Sequence, residues 1–140
     1  MERFVYLDID GNEHCKSEVS LHHVFPRSAM KGVGERRWAD LHKVPLLNTY
    51  HNMGSLALHT NMELCPKPTK EMMHRIRMEH YRHQESNPYD RFIAVNEYVH
   101  HIAETEMDTH DRWLAGRIAN NLERQAPFIL LGMVTIQELD

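Results

Sequence analysis

The stretch from Val19 to Pro26, VSLHHVFP, combines a strand pattern with two adjacent histidines and a proline. Val19 and Leu21 alternate with polar residues, which is typical of a strand with one apolar face. Pro26 lacks a backbone N–H and keeps the residue before it extended, so regular strand pairing should stop there. The stretch therefore predicts a strand that carries His22 and His23 at its end.

A second short strand and a helix are predicted downstream of this stretch. Residues 44–47, VPLL, form a brief apolar segment that indicates a short strand or extended piece. Asn48 and Thr49 are residue types that favour a helix N-terminus, and the pattern predicts a helix over 49–60 in spite of Gly54. Further histidines stand at the junctions of these elements, which describes a compact pocket: His42, His51 and His59.

The flanking segments complete a fold of the α+β class. Residues 3–9 predict a strand, and Asp10-Gly11 is a turn signal for a small hairpin. Helical periodicity predicts three helices: from Thr69 to about residue 85, over 89–106, and from Asp108 or Thr109 onward. The apolar segment 127–139 is either a strand or a docking helix. We therefore expect one domain over residues 1–140, with a helical extension over 69–140.

Composition restricts the classes of function. The formal net charge is −4, so any phosphate-binding surface must be local or assisted by a metal ion. The N-terminus has no signal-peptide pattern, and no apolar run approaches the roughly 18 residues of a membrane-spanning helix, which predicts a cytoplasmic protein without a membrane partner. Cys15 and Cys65 lie far apart with no CxxC, which excludes a disulfide framework and a four-cysteine zinc site.

Three stretches together resemble the HNH endonucleases, also called ββα-metal or His-Me finger nucleases. That family carries a His-His or Asp-His pair before Ile/Val-x-Pro, then a central asparagine, then a metal-binding residue on a helix. LHHVFPRS at 21–28, LHKVPLL at 41–47 and NTYHNMGSLALH at 48–59 follow this order. The resemblance covers residues 18–60 and implies a ββα-metal core there, in the N-terminal half of the chain.

The resemblance implies a site that hydrolyses phosphodiester bonds with one metal ion. His23 matches the general base, because an imidazole can take a proton from water at neutral pH. His22 matches the first ligand of a divalent cation, which would be Mg2+ or Mn2+, although imidazole ligands also suit Zn2+ or Ni2+. His42 stands where the family has its central asparagine, and it would help to orient the catalytic histidine.

The helix-borne ligand is an open choice between two histidines. The resemblance places His51 in this role. His59 lies eight residues later, about 12 Å along a continuous helix, so the two cannot share one ion there. If the helix breaks at Gly54, His59 could become the ligand instead of His51; otherwise it is a candidate phosphate contact.

The resemblance also implies a DNA substrate. Four basic residues in the loop after the histidine pair flank the proposed site and are candidate phosphate contacts: Arg27, Lys31, Arg36 and Arg37. Small members of the family are common in bacteriophage genomes, where some act with the packaging machinery. A packaging protein or another protein is therefore a second candidate partner.

Two alternatives stay open. The first is a non-catalytic module in which a metal stabilises the fold and the chain binds DNA or a protein. His23 distinguishes it from a nuclease, because a purely structural site has no use for a histidine beside its ligand. The second is a metal phosphohydrolase that acts on small phosphates through the C-terminal histidines, among them His100, His101 and His110.

Overall fold

The structure is a computed structural model of the chain, and it describes residues 3–25 and 43–139. The strands in this part are β1 (Arg3–Leu7), β2 (Glu13–His14), β3 (Val19–His23), β4 (Lys43–Leu47) and β5 (Thr135–Leu139). The helices are α1 (Asn48–His51), α2 (Leu58–Asn61), α3 (Lys70–Arg82), α4 (Pro88–Thr105) and α5 (Thr109–Gly132). Small sheets with a helical C-terminal part confirm the predicted mixture of α and β structure.

One sheet joins the two ends of the described chain. β1 pairs antiparallel with β2, so the hairpin predicted at Asp10-Gly11 is confirmed. Gly11 has a φ of 83°, a backbone conformation that glycine adopts without steric cost. β5 pairs antiparallel with the other edge of β1, and Val5 lies opposite Gln137. The strand at the C-terminus is therefore part of the N-terminal sheet.

His14 on β2 lies between two carboxylates, Asp8 at 2.8 Å and Glu18 at 2.7 Å. The hydrogen bonds to Asp8 and, to a smaller extent, Glu18 raise the pKa of His14 above 6.5. The same hydrogen bonds lower the pKa of Asp8 and lower the pKa of Glu18 to about 2. The contribution of His14 to the free energy of unfolding is complete below about pH 6.5, and it is lost as the pH rises through the raised pKa of His14. The contributions of Asp8 and Glu18 to the free energy of unfolding are lost on acidification, as the pH falls through their lowered pKa values.

We therefore expect His14→Gln to lower the melting temperature more at pH 5.5 than at pH 9. At pH 5.5 all three groups are charged, and raising the pH moves the histidine toward its neutral form, so its ionic contribution to stability is smaller at pH 9. Thermal unfolding followed by circular dichroism at the two pH values measures this difference. An equal loss at both would contradict an ionic role for His14.

The second sheet pairs β3 with β4 and places the histidine pair. The two strands run antiparallel, with His22 opposite Val44 and His23 opposite Lys43. Pro45 fits in β4 because both strands of a two-stranded sheet are edge strands. Helix α1 begins at Asn48, directly after β4. The order in this part of the molecule is therefore strand, strand, helix.

The three long helices begin at side-chain caps that the sequence carries. Each capping oxygen accepts a backbone N–H from three residues later: Thr69 at 3.2 Å, Asn87 at 2.9 Å and Asp108 at 2.9 Å. Asn87 is followed by Pro88, which suits the first helical position. The three predicted helices are therefore confirmed.

Helix α5 continues through Pro127 to Gly132, so the prediction of a separate element starting at 127 is wrong. A proline inside a helix usually costs about 3 kcal/mol, because one backbone hydrogen bond is lost. Ile129, which lies beyond the proline, is fully buried, and this packing outweighs the local cost. At Gly132 a Cβ atom would lie 2.7 Å from the Cβ of Tyr50, so this glycine permits the close packing of α1 against α5.

The core lies where α4 and α5 pack against the β3–β4 sheet. Its fully buried side chains include Phe25, Val44, Leu46, Val95, Ile118 and Leu122. The Tyr89 hydroxyl donates to the carbonyl oxygen of Pro45 at 2.6 Å and accepts the N–H of Val134 at 2.8 Å, so it joins α4 to β4 and to the start of β5. Among the described helices, none is long and apolar enough to cross a membrane.

Candidate metal centre

Three histidines from different elements meet beside the β3–β4 sheet. His22 lies on β3, His51 is the last residue of α1, and His59 is on α2. Their ring centroids are 5.1 Å apart for His22 and His51, 5.4 Å for His22 and His59, and 4.8 Å for His51 and His59. One nitrogen from each ring lies within 4.8 Å of the others, so one metal ion could be held between them. We call these residues the histidine cluster.

The single helix predicted over 49–60 is wrong, and the difference brings His59 to the cluster. The helix is interrupted at 52–57, where Gly54 has a φ of 91°. The turn is closed by side chains of α2: Thr60 Oγ1 donates to the carbonyl of Gly54 at 2.9 Å, and Asn61 Nδ2 donates to the carbonyl of Ala57 at 2.8 Å. His59 therefore joins His51 instead of replacing it.

Ser20 orients the ring of His51. Ser20 and His22 are two residues apart on β3, so their side chains share one face of the strand. Ser20 Oγ lies 2.6 Å from His51 Nδ1. When Nδ1–H donates to this hydroxyl, Nε2 keeps its lone pair and can bind a cation.

A buried chain of amides from α5 orients the ring of His22. His22 Nε2 lies 2.7 Å from Gln125 Oε1. Gln125 Nε2 donates to the carbonyl of Val24 at 3.2 Å and to Asn121 Oδ1 at 2.7 Å, and Asn121 Nδ2 donates to the carbonyl of Glu63 at 3.0 Å. Because a backbone carbonyl only accepts, the two carbonyls fix the orientation of both amides. Gln125 Oε1 therefore faces His22, whose Nε2 must be the donor.

This tautomer leaves a bare nitrogen in the cluster. With the proton on Nε2, the Nδ1 atom of His22 carries a lone pair, and it is buried without a hydrogen-bond partner. An unsatisfied buried polar atom costs about 1–3 kcal/mol, and a bound cation would offset that cost. The donor set, three imidazoles with outer hydrogen bonds on two of them, therefore fits a divalent metal ion.

The cluster rings are held in their neutral form. Burial lowers the pKa of His22 to about 4, against the opposing effect of the hydrogen bond that His22 donates to Gln125, and burial lowers the pKa of His51 to about 4. Partial desolvation also lowers the pKa of His59. Because a metal ion competes with protons for imidazole, neutral rings at pH 7 are ready to bind one.

His23 adjoins the cluster without being part of it. It ends β3 and is half-buried. The charge of a protonated His23 lowers the pKa of both His22 and His51, so His23 lies within electrostatic reach of the cluster. The other predicted site residues lie outside the described residues: Arg27, Lys31, Arg36, Arg37 and His42.

The sequence prediction missed three site residues: Ser20, Gln125 and Asn121. Gln125 is 103 residues from His22, so no local pattern connects them. The available signal was a polar residue on the apolar face of a predicted helix, since Gln125 continues the spacing of Ile118 and Leu122. A glutamine at such a position needs a buried hydrogen-bond partner, which here is the histidine.

Gln125→Met should weaken both the fold and the metal site. The variant keeps the side-chain length but removes the partner of His22 Nε2 and the donor to Val24 and Asn121, so we expect a loss of about 2–5 kcal/mol in unfolding free energy. Loss of an outer-sphere hydrogen bond typically costs about 10–100-fold in metal affinity. Urea unfolding and calorimetric titration with Zn2+ measure the two effects, with Gln84→Met on the surface as the control.

If Gln125→Met lowers stability but binds Zn2+ as tightly as the original chain, the positioning role is wrong. A long-range proton–nitrogen spectrum adds a direct readout, because it should show His22 with its proton on Nε2.

Comparisons of the chain with protein-family models, curated proteins and solved structures find no match.

Proposed function

We propose that the chain is a metal-dependent DNA endonuclease of the HNH type, in which β3, β4 and α1 form the ββα-metal finger. The observation that carries the proposal is the meeting of His22, His51 and His59 beside the strand–strand–helix unit, with His23 next to the first of them. A structural metal site would explain the cluster but not the adjacent histidine. The combination therefore favours a catalytic site over a non-catalytic module.

The cluster would hold one divalent cation through His22 Nδ1 and one ring nitrogen each of His51 and His59. When bound, the cation supplies positive charge that stabilises the negative charge developing on the phosphoryl group. Three imidazole donors suit Zn2+ or Ni2+ better than Mg2+ or Mn2+, which prefer oxygen ligands. This donor set moves the expected metal preference away from Mg2+.

His23 would act as the general base. Its ring takes a proton from the attacking water as the new phosphorus–oxygen bond forms and the bond to the departing 3′ oxygen breaks. The proton then passes from His23 to solvent, and the 3′ oxygen is protonated by water.

The alternative hydrolase site in the C-terminal helices has less support. His100 donates from Nδ1 to the carbonyl of Asn96 at 2.8 Å, and its Nε2 lies 3.1 Å from Glu123. Both ring nitrogens are thus engaged on the surface, whereas His22 has a bare buried nitrogen. The histidine cluster is the better candidate centre.

A plasmid assay tests the proposal. Supercoiled plasmid incubated with the protein and Mn2+, Ni2+, Zn2+ or Mg2+ should become open-circular or linear, and EDTA should stop the conversion. Metal binding is measured on the same preparation by calorimetry. A folded protein that binds metal but leaves the plasmid intact with every ion would overturn the nuclease and favour the non-catalytic module.

A further inference from the structure

One face of α5 carries cations, an amide and an aromatic ring at helical spacing. Trp113, Arg117, Asn120 and Arg124 recur every three or four residues, so they form one line about 16 Å long. All four side chains are exposed. We call these four residues the α5 stripe. Its position opposite the buried face of the helix leaves the stripe available to a partner.

Arg117 and Trp113 stack on each other within the stripe. The guanidinium carbon of Arg117 lies 5.2 Å from the centre of the Trp113 ring. Trp113 nevertheless remains 56% exposed. Stacking restricts the guanidinium before any ligand arrives, so less side-chain entropy is lost when it binds an anion.

A cleft runs along the stripe. One side of a space of about 200 Å³ is lined by Arg117, Asn120, Asn121 and Arg124, and the other side by Met62, Glu63, Leu64 and Pro66. Within the described residues, no carboxylate forms an ion pair with either arginine. Glu63 supplies one carboxylate to the cleft lining, so the cleft carries two positive charges against one negative charge, although the chain as a whole has a net charge of −4.

The cleft is connected to the histidine cluster by two routes. Asn121 lines the cleft and accepts a hydrogen bond from Gln125, which in turn accepts one from His22. On the other wall, Met62 directly follows α2, which carries His59. Two hydrogen bonds therefore link His22 to the wall of the cleft, although none of the cluster histidines lines it.

We propose that the α5 stripe binds the sugar–phosphate backbone of DNA, an inference that rests on the nuclease function proposed above. Each arginine can bind phosphate oxygens through two N–H groups, and the amide of Asn120 can add a further donor. Trp113 offers a surface on which an unpaired base can stack. The stripe thus supplies the local positive surface that an acidic nuclease needs.

Binding to a short fluorescent DNA duplex in EDTA tests the proposal without any cleavage. Arg117→Gln combined with Arg124→Gln should raise the dissociation constant at least about tenfold at low salt. The slope of log affinity against log salt should fall by about 2, since each phosphate contact contributes about 0.9. The control combines Lys70→Gln with Arg112→Gln, which removes the same charge from exposed residues outside the stripe.

The control variant should bind within about threefold of the original chain, because neither replaced residue lines the cleft. Trp113→Ala should weaken binding of single-stranded DNA more than binding of the duplex, because only unpaired bases stack. Equal losses in the stripe and control variants would overturn the proposal, since only net charge would then matter. A chain that binds no DNA at low salt would overturn it as well.

The two proposals fail in different ways. If the stripe variant loses DNA binding but the original chain leaves the plasmid intact with every metal ion, the stripe stands and the nuclease is wrong. If the chain cleaves plasmid and the stripe variant cleaves with an unchanged KM, the nuclease stands and the stripe is wrong.

Discussion

His23→Ala should abolish plasmid cleavage while the fold and the metal affinity stay unchanged. Loss of a general base typically slows hydrolysis by about 10²–10⁴-fold. The metal site should survive because the histidine cluster consists of His22, His51 and His59, each of which keeps its neighbours in this variant. The initial rate of supercoiled plasmid loss, the Zn2+ affinity and the circular dichroism spectrum measure the three quantities.

A second histidine pair provides the matched control. His101 is the second member of a His-His pair on α4 and is exposed, so His101→Ala removes an imidazole without touching the cluster. This control should cleave like the original chain. Cleavage retained by His23→Ala would show that another group takes the proton, and loss of metal affinity in that variant would make His23 a ligand.

Replacing either His51 or His59 should nearly eliminate metal binding. His51→Ala and His59→Ala each remove one of three donors, so each should lower the affinity for Zn2+ or Mn2+ by more than the roughly 100-fold typical of an outer-sphere loss. The sequence prediction had only one of the two as the ligand. Calorimetric titration of both variants separates a shared site from a site with one helix ligand.

The control for this pair of variants is His74→Ala, because His74 is exposed on α3. His51 is buried and bonded to Ser20, so its variant should also be checked for folding by urea unfolding. A normal affinity for His59→Ala beside a large loss for His51→Ala would remove His59 from the site. The same affinity in all three variants would contradict the metal centre.

The parts of the fold that the sequence predicted depend on local signals. Thr69 and Asp108 start helices because their side chains satisfy nearby backbone N–H groups, and such signals are readable over four residues. The strand containing His22 and His23 was readable from alternation of apolar residues. The histidine pair could thus be placed at the end of a strand from the sequence alone.

The parts that were missed depend on contacts between distant residues or on backbone geometry. Gly54 inside a helical pattern is compatible with a helix, and only its positive φ in the structure shows the turn that brings His59 to His51. Pro127 indicates a break, but packing of the buried Ile129 keeps α5 helical beyond it. Gln125 meets His22 across 103 residues, which no periodicity records.

The hydrogen bond between His22 and Gln125 has a consequence for the synthesis of the chain. The ribosome releases the N-terminal part first, so all three histidines of the cluster emerge before the helix that orients one of them. A nascent chain, or one truncated before Asn121, has the metal donors without the amides that set the tautomer of His22. The histidine cluster therefore acquires the amides that orient His22 only after α5 has been synthesised.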